Sequence, residues 1–351
     1  MPARKFRSIT HSLQTEAQHN LHFRAVGWLL LANLFWGLSF PLLKAIMLVH
    51  QAVLPASSTW FVAACTVAPR FLLATGVLLL VLGKKLGSFT RREVTQGALL
   101  GVTTGAGMLF QNDGLQFTSA SVSAFLTQFY AIMIPVYVAA RLRRWPSGAV
   151  LLGSALVLAG VAVLGRFDFR TLRLGRGELE TLLSSGFYML QILLLGRKEY
   201  AANRALPVTL VMFAVQAGLF TAMALGTAPR AADLLVPWTS VPWLVFTGLL
   251  TLFCTLGAFT IMNQWQPKIT ATEAGLIYCL EPVFASMLAL CLPAVLSRWA
   301  GVDYPNEQFT WHLLLGGGLI TLANVLVQLT PRPPARTGPG AAPLPVPGDG
   351  V

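Results

Sequence analysis

Charge is scarce in this chain of 351 residues. Charged residues make up 11% of it, against about a quarter in soluble domains, and only 13 residues are acidic. With 55% of its residues hydrophobic, a soluble chain of this length would have more apolar surface than its cores could hide. Lipid, by contrast, solvates apolar helix faces directly. Cysteine is sparse too. Cys65, Cys254, Cys279 and Cys291 all fall inside apolar runs, where the residue behaves as a small hydrophobe. None has metal-ligand spacing, so no disulfide, metal or other cofactor is expected. Histidines 11, 19, 22, 50 and 312 form no ligand cluster, and no Ser/His/Asp set shares one depth, which argues against an enzyme. No P-loop, dinucleotide fingerprint or nucleic-acid module is present.

What is there is a series of apolar runs. A spanning helix needs about 20 mostly apolar residues. Ten segments qualify: Val26–Val49, Trp60–Leu82, Gly97–Gln111, Ser119–Ala140, Gly148–Leu164, Leu179–Gly196, Pro207–Gly226, Val241–Asn263, Ala271–Leu296 and Trp311–Leu329. The third and fifth are short. Residues 1–25 are polar and basic and read as a cytoplasmic N-terminal segment; the run after them is too long for a signal peptide. Residues 330–351, rich in Pro, Gly and Ala, read as a disordered cytoplasmic tail.

The net charge of +12 is unevenly spread. With the N-terminus inside, 17 Lys and Arg fall in cytoplasmic segments and 6 in outer loops, the bias expected of a membrane protein with both termini cytoplasmic. The loop holding Arg166, Arg170, Arg173 and Arg176 is the exception. The high Arg-to-Lys ratio and the Ala, Gly and Leu content suggest a GC-rich bacterial gene and hence the inner membrane. Basic loops of this kind face anionic lipid rather than nucleic acid.

The two halves repeat weakly but collinearly. Leu34–Gly37 returns as Gly186–Met189, and Gly105 with Gln111-Asn112 returns as Gly257 with Asn263-Gln264, all at an offset of 152. Ser119-Ala120 returns as Thr270-Ala271 at 151, and Ala159–Val161 as Ala323–Val325 at 164. A five-helix unit must enter the membrane from the opposite side on its second appearance. The predicted fold is therefore an all-α membrane protein with ten transmembrane helices in two inverted five-helix repeats, residues 26–165 and 178–329, a common carrier design.

Phe35-Trp36-Gly37 with Lys44, Arg70-Phe71-Leu72, Gln111-Asn112 followed by Thr118–Ser121, and Leu280-Glu281-Pro282-Val283-Phe284 together resemble the drug/metabolite transporter superfamily, EamA type. The resemblance covers about residues 26–329. It implies a secondary carrier of small organic metabolites, an exporter of compounds such as amino acids, working by alternating access; a homodimer is compatible with it. One departure stands out: Pro135 lies a turn later in its helix than Pro282 does in the ninth. A channel, a receptor or a regulatory membrane protein is the competing class, but no filter loop, charge ring or sensory domain supports one.

The candidate cavity residues are polar or aromatic groups at membrane depth. A charge there costs about 2.5–3.5 kcal/mol on insertion scales. Glu281 is either a proton, cation or substrate site or half of a structural ion pair, and Arg70 either its counter-ion or a cap for loose carbonyls. Lys44 is near enough to a helix end to snorkel, and otherwise faces substrate. Gln128, Tyr130 and Gln191 either line a wet cavity or bond across helices. Gln111 and Asn112 either bind substrate or tie helix ends. Trp36, Tyr188 and Tyr278 either stack on substrate or fill the bundle. Asp113 is expected in solvent. Gly97, Gly101 and Gly105, and Gly316–Gly318, are expected to mark close helix packing.

Overall fold

The computed structural model describes residues 2–55, 57–114, 117, 123, 126–143, 145–164 and 175–329, and among these every regular element is helical. Residues Thr118–Ser121, the loop carrying Arg166–Arg173, and the tail from residue 330 lie outside the described residues.

The helices are α1 (Pro2–Val53), α2 (Thr59–Leu82), α3 (Arg91–Gly114), α4 (Tyr130–Leu142), α5 (Gly148–Leu164), α6 (Arg176–Leu195) and α7 (Ala205–Thr227). Three abutting pieces, Val241–Leu249, Leu250–Gly257 and Ala258–Trp265, make up α8. Three more, Ala271–Tyr278, Glu281–Ala289 and Leu292–Ala300, make up α9, and α10 is Trp311–Leu329. The basic N-terminal segment is thus a helical continuation of the first apolar run. Local signals set several starts. Ser58 accepts from the Phe61 amide at 3.2 Å. Thr90 with Glu93, and Thr270 with Glu273, close reciprocal capping boxes that satisfy orphan amides.

By length and composition four helices can cross a membrane, His19–Val53, Thr59–Leu82, Ala205–Thr227 and Val241–Lys268, and α9 makes a fifth if its pieces, bent by 59°, are one span. The apolar helices α4, α5 and α10 are shorter. The helices α3 and α6 carry Arg91, Arg92 and Glu93, and Arg176, Glu178 and Glu180, within their first two turns. They pack on each other, and α3 also packs on α7.

The most extensive packing joins an early helix to a late one: α2 with α7, α5 with α10, α3 with α6 and α7, and α1 with α8 and α9. Glycine permits the closest approaches. A Cβ on Gly97 would lie 2.7 Å from the Val208 carbonyl oxygen, and one on Gly101 2.9 Å from that of Met212. One on Gly160 would lie 2.7 Å from the Gly316 carbonyl oxygen. Gly97 and Gly101 therefore set α3 close against α7, and Gly160 sets α5 against the Gly316 backbone, with dispersion between closely set backbones as the gain. A Cβ on Gly318 would meet nothing within 4 Å, so close packing does not run the length of Gly316–Gly318.

Candidate functional site

Two helix breaks frame the centre of the bundle. Cys279 and Leu280 form a turn within α9, and Gln128 and Phe129 form one just ahead of α4, 151 residues earlier. The hydrogen bonds match. The Phe129 amide donates to Leu126 O at 3.2 Å and that of Leu280 to Ile277 O at 3.0 Å; Met133 N reaches Phe129 O at 3.0 Å and Phe284 N reaches Leu280 O at 3.1 Å. In α9, Pro282 explains the break, because it has no amide to continue the ladder. Ahead of α4 the corresponding residue is Ala131, with Pro135 a turn away, so the shared backbone does not depend on a shared proline.

The α9 break carries Glu281. Its side chain is half-buried, and among the described residues it has no hydrogen bond or ion pair. Tyr130, at the repeat-related position beside the other break, is buried at 4% exposure. Tyr130, Tyr188, Cys254 and Cys279 all lie within the electrostatic reach of the Glu281 carboxylate.

Across from it is Arg70, in α2 just after Pro69. It is 4% exposed, and its Nε donates to Thr255 Oγ1 at 3.2 Å. Thr255 belongs to the middle piece of α8, which is a π-helix. Such wide turns leave the regular ladder and recur at functional positions. Arg70 forms no ion pair with Glu281; none is seen for either residue among the described residues. Yet Tyr188 and Cys254 are within electrostatic reach of both. Each charge thus stands without an ion-pair partner among the described residues. A buried ion left this way costs several kcal/mol.

The walls between them are aromatic and amide. The Tyr188 hydroxyl donates to Gln111 Oε1 at 2.8 Å, and Gln111 Nε2 donates to Thr127 Oγ1 at 3.3 Å. Trp36 meets Phe259 and Tyr278 edge-on, with centroids 5.4 and 5.3 Å apart. Its indole N–H and the Gln128 side-chain carbonyl are buried with no partner among the described residues. The Tyr278 hydroxyl donates to Gln266 Oε1 at 2.9 Å, and Gln266 Nε2 donates to Ile192 O at 2.8 Å.

The structure thus gathers Glu281, Arg70, Tyr130 and Tyr188 in one electrostatic neighbourhood, with Gln111 attached through Tyr188. It also pairs Trp36 with Tyr278 and sets Gln128 in the α4 turn. Others stand apart. Lys44 is exposed, with its ammonium 5.2 Å from the Tyr304 ring centroid. Gln191 Nε2 is directed at Met262 Sδ, 3.2 Å away. Asn112 sits in the last turn of α3.

Asp113 requires a correction. It is wholly buried rather than solvated: Arg176 forms a salt bridge with it, and Thr59 Oγ1 donates to it at 3.0 Å. Arg176 is also the residue that strains the charge bias of its loop, and this carboxylate is a local reason for a cation there. Thr255, Thr127 and Gln266 escaped the sequence reading, because single Thr and Gln residues carry no periodic signal, and Cys254 was read only as a small hydrophobe.

Residues 23–166 match the model of the EamA-like transporter family. That segment is therefore similar to the EamA-like transporter family, part of the drug/metabolite transporter superfamily. No curated protein matches the chain. A solved structure described only as a crystal structure of a protein superposes with a TM-score of 0.61 at 15% identity. It covers 88% of this chain and 97% of its own, so the likeness in fold extends well beyond residues 23–166.

Outside the apolar stretches, one pair anchors α3 to α7. Arg204 donates to Glu93 at 2.7 and 2.9 Å. The Arg204 hydrogen bond holds the Glu93 carboxyl down at about 2, and the same contact raises the Arg204 guanidinium.

Proposed function

We propose that the protein is a secondary carrier, an exporter, that moves small zwitterionic metabolites such as amino acids by alternating access. The observation that carries this reading is the unpaired couple Arg70 and Glu281. A cation and an anion that share neighbours but not a bond suit a substrate bearing both signs, its carboxylate at Arg70 and its ammonium at Glu281. Substrate would then repay the desolvation that each charge already bears. Trp36 and Gln128 keep buried polar atoms without partners, which a bound metabolite would satisfy.

The inverted-repeat reading has its own support. Exchanging each helix for its mate five places on turns the α1–α8 contact into α6–α3, the α3–α7 contact into α8–α2, and the α1–α9 contact into α6–α4, and all of these occur. The contacts α2–α7 and α5–α10 map onto themselves. The matched breaks 151 residues apart belong to the same pattern. We take the repeats as 26–165 and 178–329, with both termini cytoplasmic and the bilayer as the inner membrane, following the Lys and Arg bias.

The test is counterflow in liposomes with labelled amino acids, nucleosides and cationic amines. Saturable exchange of the zwitterions is expected. It should drop at least about 100-fold in Glu281→Gln and in Arg70→Gln variants that still fold, the scale for a buried charge contact. Exchange of another class alone, or full exchange in both variants, overturns the substrate assignment.

A further inference from the structure

A second polar cavity, of about 490 Å³, opens where α2 and α8 end and α3 and α7 begin. It lies away from Arg70 and Glu281, and nothing in the proposed transport cycle uses it.

Its charge is one-sided. Lys85, Arg204 and Lys268 line it. The nearby carboxylate, Glu93, is consumed by Arg204 at 2.7 Å. Lys85 and Lys268 have no carboxylate partner among the described residues. One buried polar group on the wall is unsatisfied. Asn263 is 5% exposed, and its Nδ2 donates to Thr209 Oγ1 at 2.9 Å. Its Oδ1 has no partner among the described residues.

The remaining lining is apolar. Leu82 and Leu195 are buried and Phe89 is half-buried, and all three border the same space. The level is that of an interface. Here α2 stops at Gly83, and Trp265 stacks on Trp28 with centroids 6.0 Å apart and the Lys268 ammonium 5.8 Å away. Tryptophan and lysine gather where apolar spans meet headgroups. A soluble anion has no use for the apolar wall, whereas a glycerophospholipid uses every part of it.

We infer that this cavity binds the head of an anionic glycerophospholipid. The phosphate sits between Lys85 and Lys268, and an acyl chain begins along Leu82, Phe89 and Leu195. Basic pockets between helices at the cytoplasmic face are suited to phosphate heads.

Native mass spectrometry and thermal melting of the detergent-solubilised full chain test this, with phosphatidylglycerol, phosphatidylcholine and soluble glycerol 3-phosphate as probes. Phosphatidylglycerol is expected to remain bound and raise the melting temperature, and phosphatidylcholine to do neither. At about 1 kcal/mol per lysine, K85Q/K268Q should weaken phosphatidylglycerol by roughly 10- to 30-fold. The single variant Lys85→Gln, at an exposed position, carries the same test with a several-fold loss should the double variant not fold. Equal binding of the two lipids, or unchanged binding in Lys85→Gln, overturns the site. Stabilisation by glycerol 3-phosphate that displaces phosphatidylglycerol overturns the lipid and assigns the pocket to a soluble phosphate ester. No transport readout is involved, so this result is independent of the carrier reading.

Discussion

Two helix junctions are each closed by an arginine against a neighbouring helix, and by opposite chemistry. Where α6 meets α3, Arg176 bridges Asp113 and Glu180. Where α1 meets α8, Arg24 lies 5.6 Å from the Trp265 ring centroid, and Trp28 stacks on that ring. Arg24 and Arg176, Trp28 and Glu180, and Asp113 and Trp265 are each 152 residues apart. At each junction an arginine is held against a partner on the neighbouring helix. The partners make one closure ionic and the other aromatic. Asp113 is wholly buried while Trp28 is 40% exposed. The ionic end should therefore be the stronger, and the end that salt and charge-removing substitutions disturb. In an alternating-access cycle that asymmetry would bias which end opens first.

The largest effect should come from Asp113→Ala. It leaves Arg176 without its buried carboxylate and Thr59 without its acceptor. Removing one partner of a buried pair costs about 3–5 kcal/mol; with Arg176 half-exposed we expect about 2 kcal/mol. A lowered melting temperature in detergent would register the loss, with faster labelling of a cysteine introduced beside Phe117. High salt should weaken the wild-type closure in the same direction. If Asp113→Ala melts like wild type, the two closures are equivalent in strength and the comparison fails.

These contrasts also mark what the sequence makes legible. Glu281 followed by proline in an apolar run, and Arg70 after Pro69, announce themselves because a charge in lipid needs a reason. The four long apolar spans, and a fifth if the bent α9 is one, are legible for the same solvation reason, whereas the other expected spans are too short or too polar to qualify by length and composition. The turn at Gln128 and Phe129 is not, because no proline breaks the ladder there and only its α9 counterpart, with Pro282, gives the clue. The π-helical stretch of α8, which brings Thr255 to Arg70, leaves no trace in Leu250–Gly257, since widening a turn changes no residue type. Asp113 reads as a loop carboxylate until its partner, distant in sequence, is known. Residues are legible where their own chemistry conflicts with the membrane, and illegible where a neighbour settles their role.

A smaller effect tests whether an ion pair away from the repeat axis behaves as the Asp113 closure should. Glu93, buried beside Arg204, has its carboxyl lowered to about 2 from an ordinary value near 4.5. A depressed carboxylate stabilises the fold fully above its unfolded value and loses that contribution as pH falls toward the folded one. Stability should therefore be flat above about pH 4.5 and fall below it toward pH 2. After allowance for the half-exposed arginine, the loss should be about 1–2 kcal/mol. Glu93→Gln should melt lower at pH 7 and lose most of that acid-side slope. A slope that persists unchanged in Glu93→Gln would assign it to other carboxylates.

The smallest effect belongs to the aromatic end. Arg24 is exposed and holds Trp265 through a cation–π contact, worth about 0.5–1 kcal/mol at such a site, while the Trp28 stack adds a comparable amount. Arg24→Gln should lower the melting temperature by less than Asp113→Ala does, and by the same amount at low and high salt, because ring stacking persists when charge is screened. Trp28→Leu should cost slightly more, since it removes the stack and leaves Trp265 only its two cations. If Arg24→Gln instead matches Asp113→Ala in size and in salt response, Arg24 has an ionic partner of its own. The two ends would then be chemically alike, and the bias between them would have to come from the central site.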